Sequence, residues 1–167
     1  MNRFVYILLL FCFQFSFGQS IDFDKINYKG LRYYSTKQEI IKKLGNPKRI
    51  YKPNYECGFL SVDDQGVEFY TLDYGSFKFT GNKNEKFILE EINFDKNKLL
   101  FINYSNYKLN SKTTIADLIN IFGKEITNHL RETKSRHFLI MHSNSDDGIV
   151  FHIKNGKLEK MEYWSPC

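Results

Sequence analysis

The sequence has 167 residues, of which 42% are hydrophobic and 26% charged, and its formal net charge is +5. This length and composition are typical of one medium globular domain, or of two very small domains that share a core. The 24 basic and 19 acidic residues are spread along the chain. Without a basic block, nucleic-acid binding is disfavoured, and only a mild preference for acidic partners is expected.

The first 18 residues have the pattern of a secretory signal peptide. Arg3 precedes an apolar run from Phe4 to Phe13, and Ser16 and Gly18 place small side chains at the −3 and −1 positions of a cleavage site. The run is shorter than the roughly 20 residues of a membrane span. We therefore predict an exported protein, periplasmic or extracellular, without a transmembrane segment after cleavage. An uncleaved anchor helix is the alternative.

The three cysteines of the sequence are relevant to the predicted export of the protein. Lipidation at Cys12 is disfavoured, because Phe11 is bulky where lipoprotein signals carry a small residue. The mature chain keeps Cys57 and Cys167, and an even pair in an oxidising compartment predicts a disulfide. Two free thiols are the alternative.

The first predicted helix is the segment "STKQEIIKKLGNP", Ser35–Pro47. Ser35 or Thr36 can cap its start, with Gln38 or Glu39 completing a capping box. An apolar stripe follows, and Gly and Pro at the end stop the helix. A helix of about nine residues is marginal alone and must pack on another element.

Alternating residues predict four strands after this helix, and turn signals separate them. The predicted strands are Tyr55–Val62, Val67–Tyr74, Ser76–Thr80 and Phe87–Phe94. The segment 95–112 then connects two halves of the chain, and a further strand over Leu99–Tyr104 is possible within it.

The segment "TTIADLINIFGKE", Thr113–Glu125, repeats the cap, the apolar face and the Gly of the first helix. Strands are predicted after it over His137–His142, Ile149–Ile153 and Lys157–Trp164, the last two joined by the hairpin turn "KNG". The pattern "QGVEFY" also returns as "DGIVFH", and "LEEINF" as "LEKMEY". The recurring order indicates an internal duplication.

The predicted fold is therefore α+β. Two tandem repeats, each a helix followed by an antiparallel meander, would form one sheet of about seven strands with two short helices on one face. The expected boundaries are a signal peptide at 1–18, a first repeat at 19–94, a connector at 95–112 and a second repeat at 113–167. Neither half alone has enough apolar surface to fold well.

Alternation along the strands assigns residues to two faces of this sheet. The repeat pairs predict that the following residues face the helices: Val67, Phe69, Ile92, Phe94, Ile149, Phe151, Met161 and Tyr163. The other face would be partly exposed to solvent and rich in aromatic side chains. Tyr and Trp often anchor protein partners. Its predicted partner-binding residues are Tyr70, Leu72, Tyr74, His152 and Trp164. The alternative is ordinary strand composition, which also favours Tyr and Phe.

Catalytic and metal-binding motifs are not found in the sequence. It has no serine nucleophile elbow, HExxH, phosphate loop or CxxC pair. His137 and His142 lie five apart on one predicted strand and hence on opposite faces, so they cannot share a metal ion. We expect no enzyme, no metal and no cofactor.

The short capped helix ending in "LGNP" and the closing strand "LEEINF" resemble segments of the SmpA/BamE-like and β-lactamase-inhibitor-protein-like folds. The resemblance extends over most of residues 30–164. It implies a helical layer on one face of an antiparallel sheet and, in the tandem inhibitors, a concave sheet that binds a partner protein. The chain departs from the pattern, with one clear helix per half and Glu125 where the first copy has Pro47.

The predicted function is a secreted or periplasmic, non-enzymatic protein-binding module that acts as a monomer. An inhibitor, an immunity factor and an envelope-assembly accessory all fit this description. The alternative is a small-ligand carrier or sensor with a pocket between the sheet and the helices.

Overall fold

The computed structural model describes residues 20–53, 68–133 and 136–166. It contains two β-sheets, three α-helices and a short 3-10 helix at Phe23–Lys25. The strands of the larger sheet are β1 (Ser20–Ile21), β4 (Tyr34–Ser35), β5 (Arg49–Tyr51), β6 (Phe69–Asp73), β7 (Phe77–Asn82), β8 (Phe87–Asn93), β11 (His137–His142), β12 (Gly148–Lys154) and β13 (Lys157–Trp164). Those of the smaller sheet are β2 (Ile26–Tyr28), β3 (Leu31–Arg32), β9 (Phe101–Tyr104) and β10 (Tyr107–Asn110). The helices are α1 (Lys37–Leu44), α2 (Ile115–Phe122) and α3 (Glu125–Thr133).

The larger sheet has the strand order β1-β11-β12-β13-β8-β7-β6-β5, and β4 also pairs with β8. All of these pairs are antiparallel except β1 with β11, which is parallel. The smaller sheet is antiparallel, in the order β10-β9-β2-β3.

One face of the larger sheet forms the core. The strand register aligns a row of apolar side chains across five neighbouring strands. Every member is at most 9% exposed, in the order Phe77, Ile92, Met161, Phe151 and Phe138. Since side chains alternate along each strand, this row fixes which residues point away from the core. The predicted orientation of Ile92, Phe94, Ile149, Phe151 and Met161 toward the interior is confirmed by their burial. It is wrong for Phe69, which lies three residues from the buried Leu72 on one strand and hence on the opposite face. Val67 lies outside the described residues.

The smaller sheet and the helices pack against this apolar row. The ring of Tyr28, on β2, lies 4.9 Å from that of Phe77. Phe122, on α2, lies between the layers, with its ring 5.1 Å from Tyr104 and 5.2 Å from Phe151. The buried apolar side chains of both sheets and all three helices form a single core cluster.

The two predicted helix starts are confirmed. Thr36 accepts a hydrogen bond from the Glu39 backbone N–H, and the Glu39 carboxylate accepts one from the Thr36 backbone N–H. Thr114 and Asp117 form the same capping box at α2. These reciprocal bonds satisfy backbone donors that a short helix leaves unpaired.

The predicted fold class is wrong. The chain does not form one sheet of about seven strands from two tandem helix-and-meander repeats. Over the described residues it is mostly β, with a mixed nine-stranded sheet, a separate four-stranded sheet and three short helices. The recurring residues are caps, apolar positions and helix-ending glycines, and such positions recur in unrelated short helices because each satisfies a generic local requirement.

The elements that the prediction missed are short or lack a clear period. Strands β2 and β3 have three and two residues, too few for alternation to register. The tight turn between them holds Lys29 and Gly30 at positive φ, +52° and +84°, as such hairpin turns require. Helix α3 follows α2 after two residues, Gly123 and Lys124. A glycine at this position predicts the end of a helix, and no second helix is indicated so close behind it.

Candidate functional site

The larger sheet has a second face, which we call the polar face. It comprises the side chains that alternate with the core row on β5–β8, β12 and β13. The strand register aligns five of them across the sheet, in the order Arg49, Asp73, Lys78, Glu91 and Glu162. Tyr51 and Trp164 share this face because each lies two residues beyond a member of the row.

Ion pairs join the polar face from strand to strand. Arg49 donates to Asp73 at 2.5 Å, and the Lys78 ammonium lies 3.3 Å from the Glu91 carboxylate. Burial raises the pKa of Asp73, but the hydrogen bonds from the Arg49 guanidinium and the Gly75 N–H outweigh it, so the pKa is lowered. The carboxyl therefore stays ionised although its side chain is only 4% exposed.

Glu162 is the centre of a second charged group on this face. Its carboxylate lies 3.1 Å from Nε2 of His152 and 2.6 Å from Nζ of Lys160. The hydrogen bond with His152, helped by Lys160 and opposed by burial, lowers the pKa of Glu162 to about 2. Across the next strand, the His137 ring lies 5.7 Å from that of His152. This end of the face thus combines an anionic group with two imidazoles.

The structure places two of the five predicted partner-binding residues on the polar face. His152 is half-buried beside Glu162, and Trp164 is 36% exposed. Trp164 pairs with Gly148 across the strand, so no side chain stands directly opposite it. Exposure of an indole at such a position fits the predicted role.

The other three predicted residues, Tyr70, Leu72 and Tyr74, lie on the core side and not on the face predicted for them. Leu72 is 0% exposed and pairs with Phe79, which is equally buried. The Tyr74 ring stacks 4.9 Å from Phe77, and its hydroxyl donates to the Gly45 carbonyl. Side chains do alternate along β6 as predicted. The supposed repeat, however, indicates the wrong face for each of them.

Two residues that the sequence did not single out complete the polar face. Tyr51 is 38% exposed, and Arg49, with a side chain 74% exposed, lies 5.9 Å from the Tyr51 ring centre. Strand β5 has only three residues, so no alternation marked it. The nearest sequence signal is Pro47, three residues after the end of α1.

A second feature is a cleft of about 580 Å³ beside α1, which we call the basic cleft. Its walls come from β3, β4, helix α1 and the turn between β7 and β8. It is lined by Gly30, Leu31, Arg32, Tyr34, Ser35, Thr36, Glu39, Lys42, Lys43 and Lys86. Four of these residues are cationic and one is acidic.

A third feature is a buried carboxylate, Asp147, in the turn between β11 and β12. It accepts hydrogen bonds from the hydroxyls of Tyr163 (3.0 Å), Tyr34 (3.5 Å) and Ser145. The Ser145 hydroxyl also lies 2.8 Å from Nδ1 of His142, whose ring stacks on Phe23. Burial, with the Asp147 charge, raises the pKa of both tyrosines well above the usual value. The group joins β4, β13 and the N-terminal segment.

The predicted disulfide, Cys57 with Cys167, and the signal peptide fall outside the described residues and stay predictions. Within residues 20–53, 68–133 and 136–166, no group of three metal-binding side chains is close enough to hold a metal ion. No helix in that part of the chain has the length and apolar character needed to cross a membrane.

Comparison with known proteins finds no family model that matches the sequence, and no curated protein or solved structure that matches the chain. The resemblance to the SmpA/BamE-like and β-lactamase-inhibitor-protein-like folds is therefore neither supported nor excluded by a relative. The polar face and the basic cleft are the two candidate functional sites of the described residues.

Proposed function

We propose that the protein is an exported, non-enzymatic binding module that contacts another folded protein through the polar face. The observation that carries the proposal is the presence of Tyr51, Trp164 and Arg49 on one face, each at least 36% exposed. Trp, Tyr and Arg are the residues most often found as energetic anchors of protein interfaces. The monomer, the inhibitor-like or accessory role and the exported location are parts of the same proposal.

The charge of the polar face favours a protein partner over a nucleic acid or an anionic membrane. Arg49, Lys78 and Lys160 are balanced by Asp73, Glu91 and Glu162, and each cation is already paired. A polyanion needs a surplus of cations, which this face does not offer. A folded protein with groups of both signs can match it, since alternating charges fix orientation and reject wrong partners.

The two aromatic anchors lie on well-separated strands of the larger sheet. Tyr51 lies on β5 and Trp164 on β13, four strand spacings apart, which is about 19 Å. That separation fits a standard protein interface, which buries roughly 800 Å² on each partner.

The proposal is tested by capturing partners from the envelope and secreted fractions of the producing cell. We expect the Trp164→Ala and Tyr51→Ala variants to bind the captured protein more weakly by about 1–3 kcal/mol. The matched control is Tyr107→Ala, which removes a 48% exposed aromatic side chain from β10, on the smaller sheet. Loss of the partner with Tyr107→Ala, or its retention by both other variants, would contradict the proposal.

A second candidate function, a small-ligand carrier or sensor, is favoured by the basic cleft. Its volume of about 580 Å³ falls within the range of small-molecule pockets. It also lies between a helix and strands, where such a pocket is expected. A thermal-shift screen separates the candidates, because a small ligand raises the melting temperature of a carrier without any partner protein.

A further inference from the structure

The basic cleft concentrates cations from three structural elements. Arg32 is on β3, Lys42 and Lys43 are on α1, and Lys86 lies in the turn before β8. All four side chains are exposed. Among the described residues, none of them forms a side-chain hydrogen bond or an ion pair. On the polar face, by contrast, each of Arg49, Lys78 and Lys160 is paired.

The single carboxylate of the cleft is committed to the helix. Glu39 accepts hydrogen bonds from the backbone N–H of Thr36 at 2.7 Å and from its hydroxyl at 2.9 Å. These bonds, with smaller contributions from Lys86 and Arg32, lower the pKa of Glu39. Its charge is thus directed at the first turn of α1, and the cleft keeps an excess of positive charge.

The floor of the cleft is less polar than its rim. Leu31 and Ser35 are buried and Tyr34 is half-buried, and the Ser35 hydroxyl donates to the Arg32 carbonyl. Gly30 lets the Lys43 ammonium lie close to the backbone, since a Cβ added there would be 3.2 Å from Nζ. A ligand can therefore rest its uncharged part on the floor while its anionic groups reach the rim.

From this arrangement we propose that the basic cleft binds a small molecule that carries two or more phosphate or carboxylate groups. A single small anion would fill only a fraction of about 580 Å³ and could meet few of the cations. A molecule with several anionic groups meets cations from all three elements at once, and hydrogen bonds between charged groups are the stronger ones. The inference deepens the second candidate function and does not depend on the polar face.

The test uses citrate and inorganic pyrophosphate as anionic probes and glucose as the neutral probe. Each is titrated into the isotope-labelled protein, and backbone amide shifts are followed by NMR. We expect both anions, at concentrations up to about 1 mM, to shift the amides of residues 30–43 and 86, with no response to glucose.

Two variants with the same change in net charge make the test specific. Lys43→Gln with Lys86→Gln removes two cations from the cleft. Lys112→Gln with Lys124→Gln removes two exposed lysines outside it. We expect the first pair to weaken anion binding at least about tenfold and the second to change it less than about twofold.

Three results would overturn the inference. Equal weakening by both variant pairs would mean that the anions respond only to net charge. A response of the cleft to glucose but not to the anions would leave the carrier function standing and reject the anionic ligand. Absence of any shift with all three probes would reject the anion site, while the thermal-shift screen would decide separately whether another small molecule binds.

Discussion

Asp147 shows how a single polar residue fixes distant segments of this chain. Its carboxylate accepts hydrogen bonds from Tyr34, on β4, and Tyr163, on β13. Because the residue is only 8% exposed, water cannot easily replace these bonds. The sequence showed only an acidic turn at this point, since turn-forming and buried aspartates look alike until the fold brings their partners together.

Replacing Asp147 with Ala is expected to lower the free energy of unfolding by about 1–3 kcal/mol, since the tyrosine hydroxyls lose their shared acceptor. Urea denaturation measures the change. The control is Asp146→Ala at the exposed neighbouring position, which should stay within about 0.5 kcal/mol of the wild type. Equal effects of the two substitutions would show that the turn, and not the buried carboxylate, carries the stability.

Glu162 predicts a pH dependence of stability. Its pKa falls from 4.5 to about 2 in the folded protein, so the ionised form stabilises the fold. This stabilisation is complete above pH 4.5 and is lost as the pH falls toward 2. Since the side chain is 40% exposed, solvent screening reduces the contribution to about 1 kcal/mol.

The pH dependence is checked by urea unfolding of Glu162→Gln at pH 7 and at pH 2.5. The variant should lose about 1 kcal/mol less than the wild type between these values. Glu125→Gln, at an exposed carboxyl on α3, serves as control. An unchanged pH dependence in Glu162→Gln would show that the contacts with His152 and Lys160 do not stabilise the fold.

At the level of elements, the longer ones were predictable and the short ones were not. The bounds of β11 and β13 and the caps of α1 and α2 follow from alternation and capping residues. Of the smaller sheet only β9 was expected, as a possible strand over Leu99–Tyr104. The others were not, because they have two to four residues. The basic cleft was not predicted from the sequence, since only the fold brings Lys86 to the residues between 30 and 43 that form the rest of its lining.

The orientation of β6, with Leu72 toward the core, gives a prediction for the stability of the fold. Leu72 is 0% exposed, so Leu72→Ala leaves a cavity and should lower the free energy of unfolding by about 2–5 kcal/mol. Leu99→Ala is the control, because Leu99 is 88% exposed and should change stability by less than about 0.5 kcal/mol. If Leu72→Ala is as stable as the control but loses partner binding, β6 faces the other way.

At the level of the whole molecule, the two faces of the larger sheet differ in composition and in exposure. One face carries the apolar row that packs against the smaller sheet and the helices. The other carries paired charges and the exposed Tyr51 and Trp164. This division explains how the described part of the chain buries many aromatic side chains and still exposes Tyr51 and Trp164 on the polar face.

The measurement that tests this account most directly is site-specific photo-crosslinking in the producing cell. A photoreactive phenylalanine derivative is placed at position 164, on the polar face, or at position 107, on the smaller sheet. The account predicts one defined crosslinked protein from position 164 and none from position 107. The same crosslink from position 107, or none from position 164 beside a folded and exported chain, would contradict it.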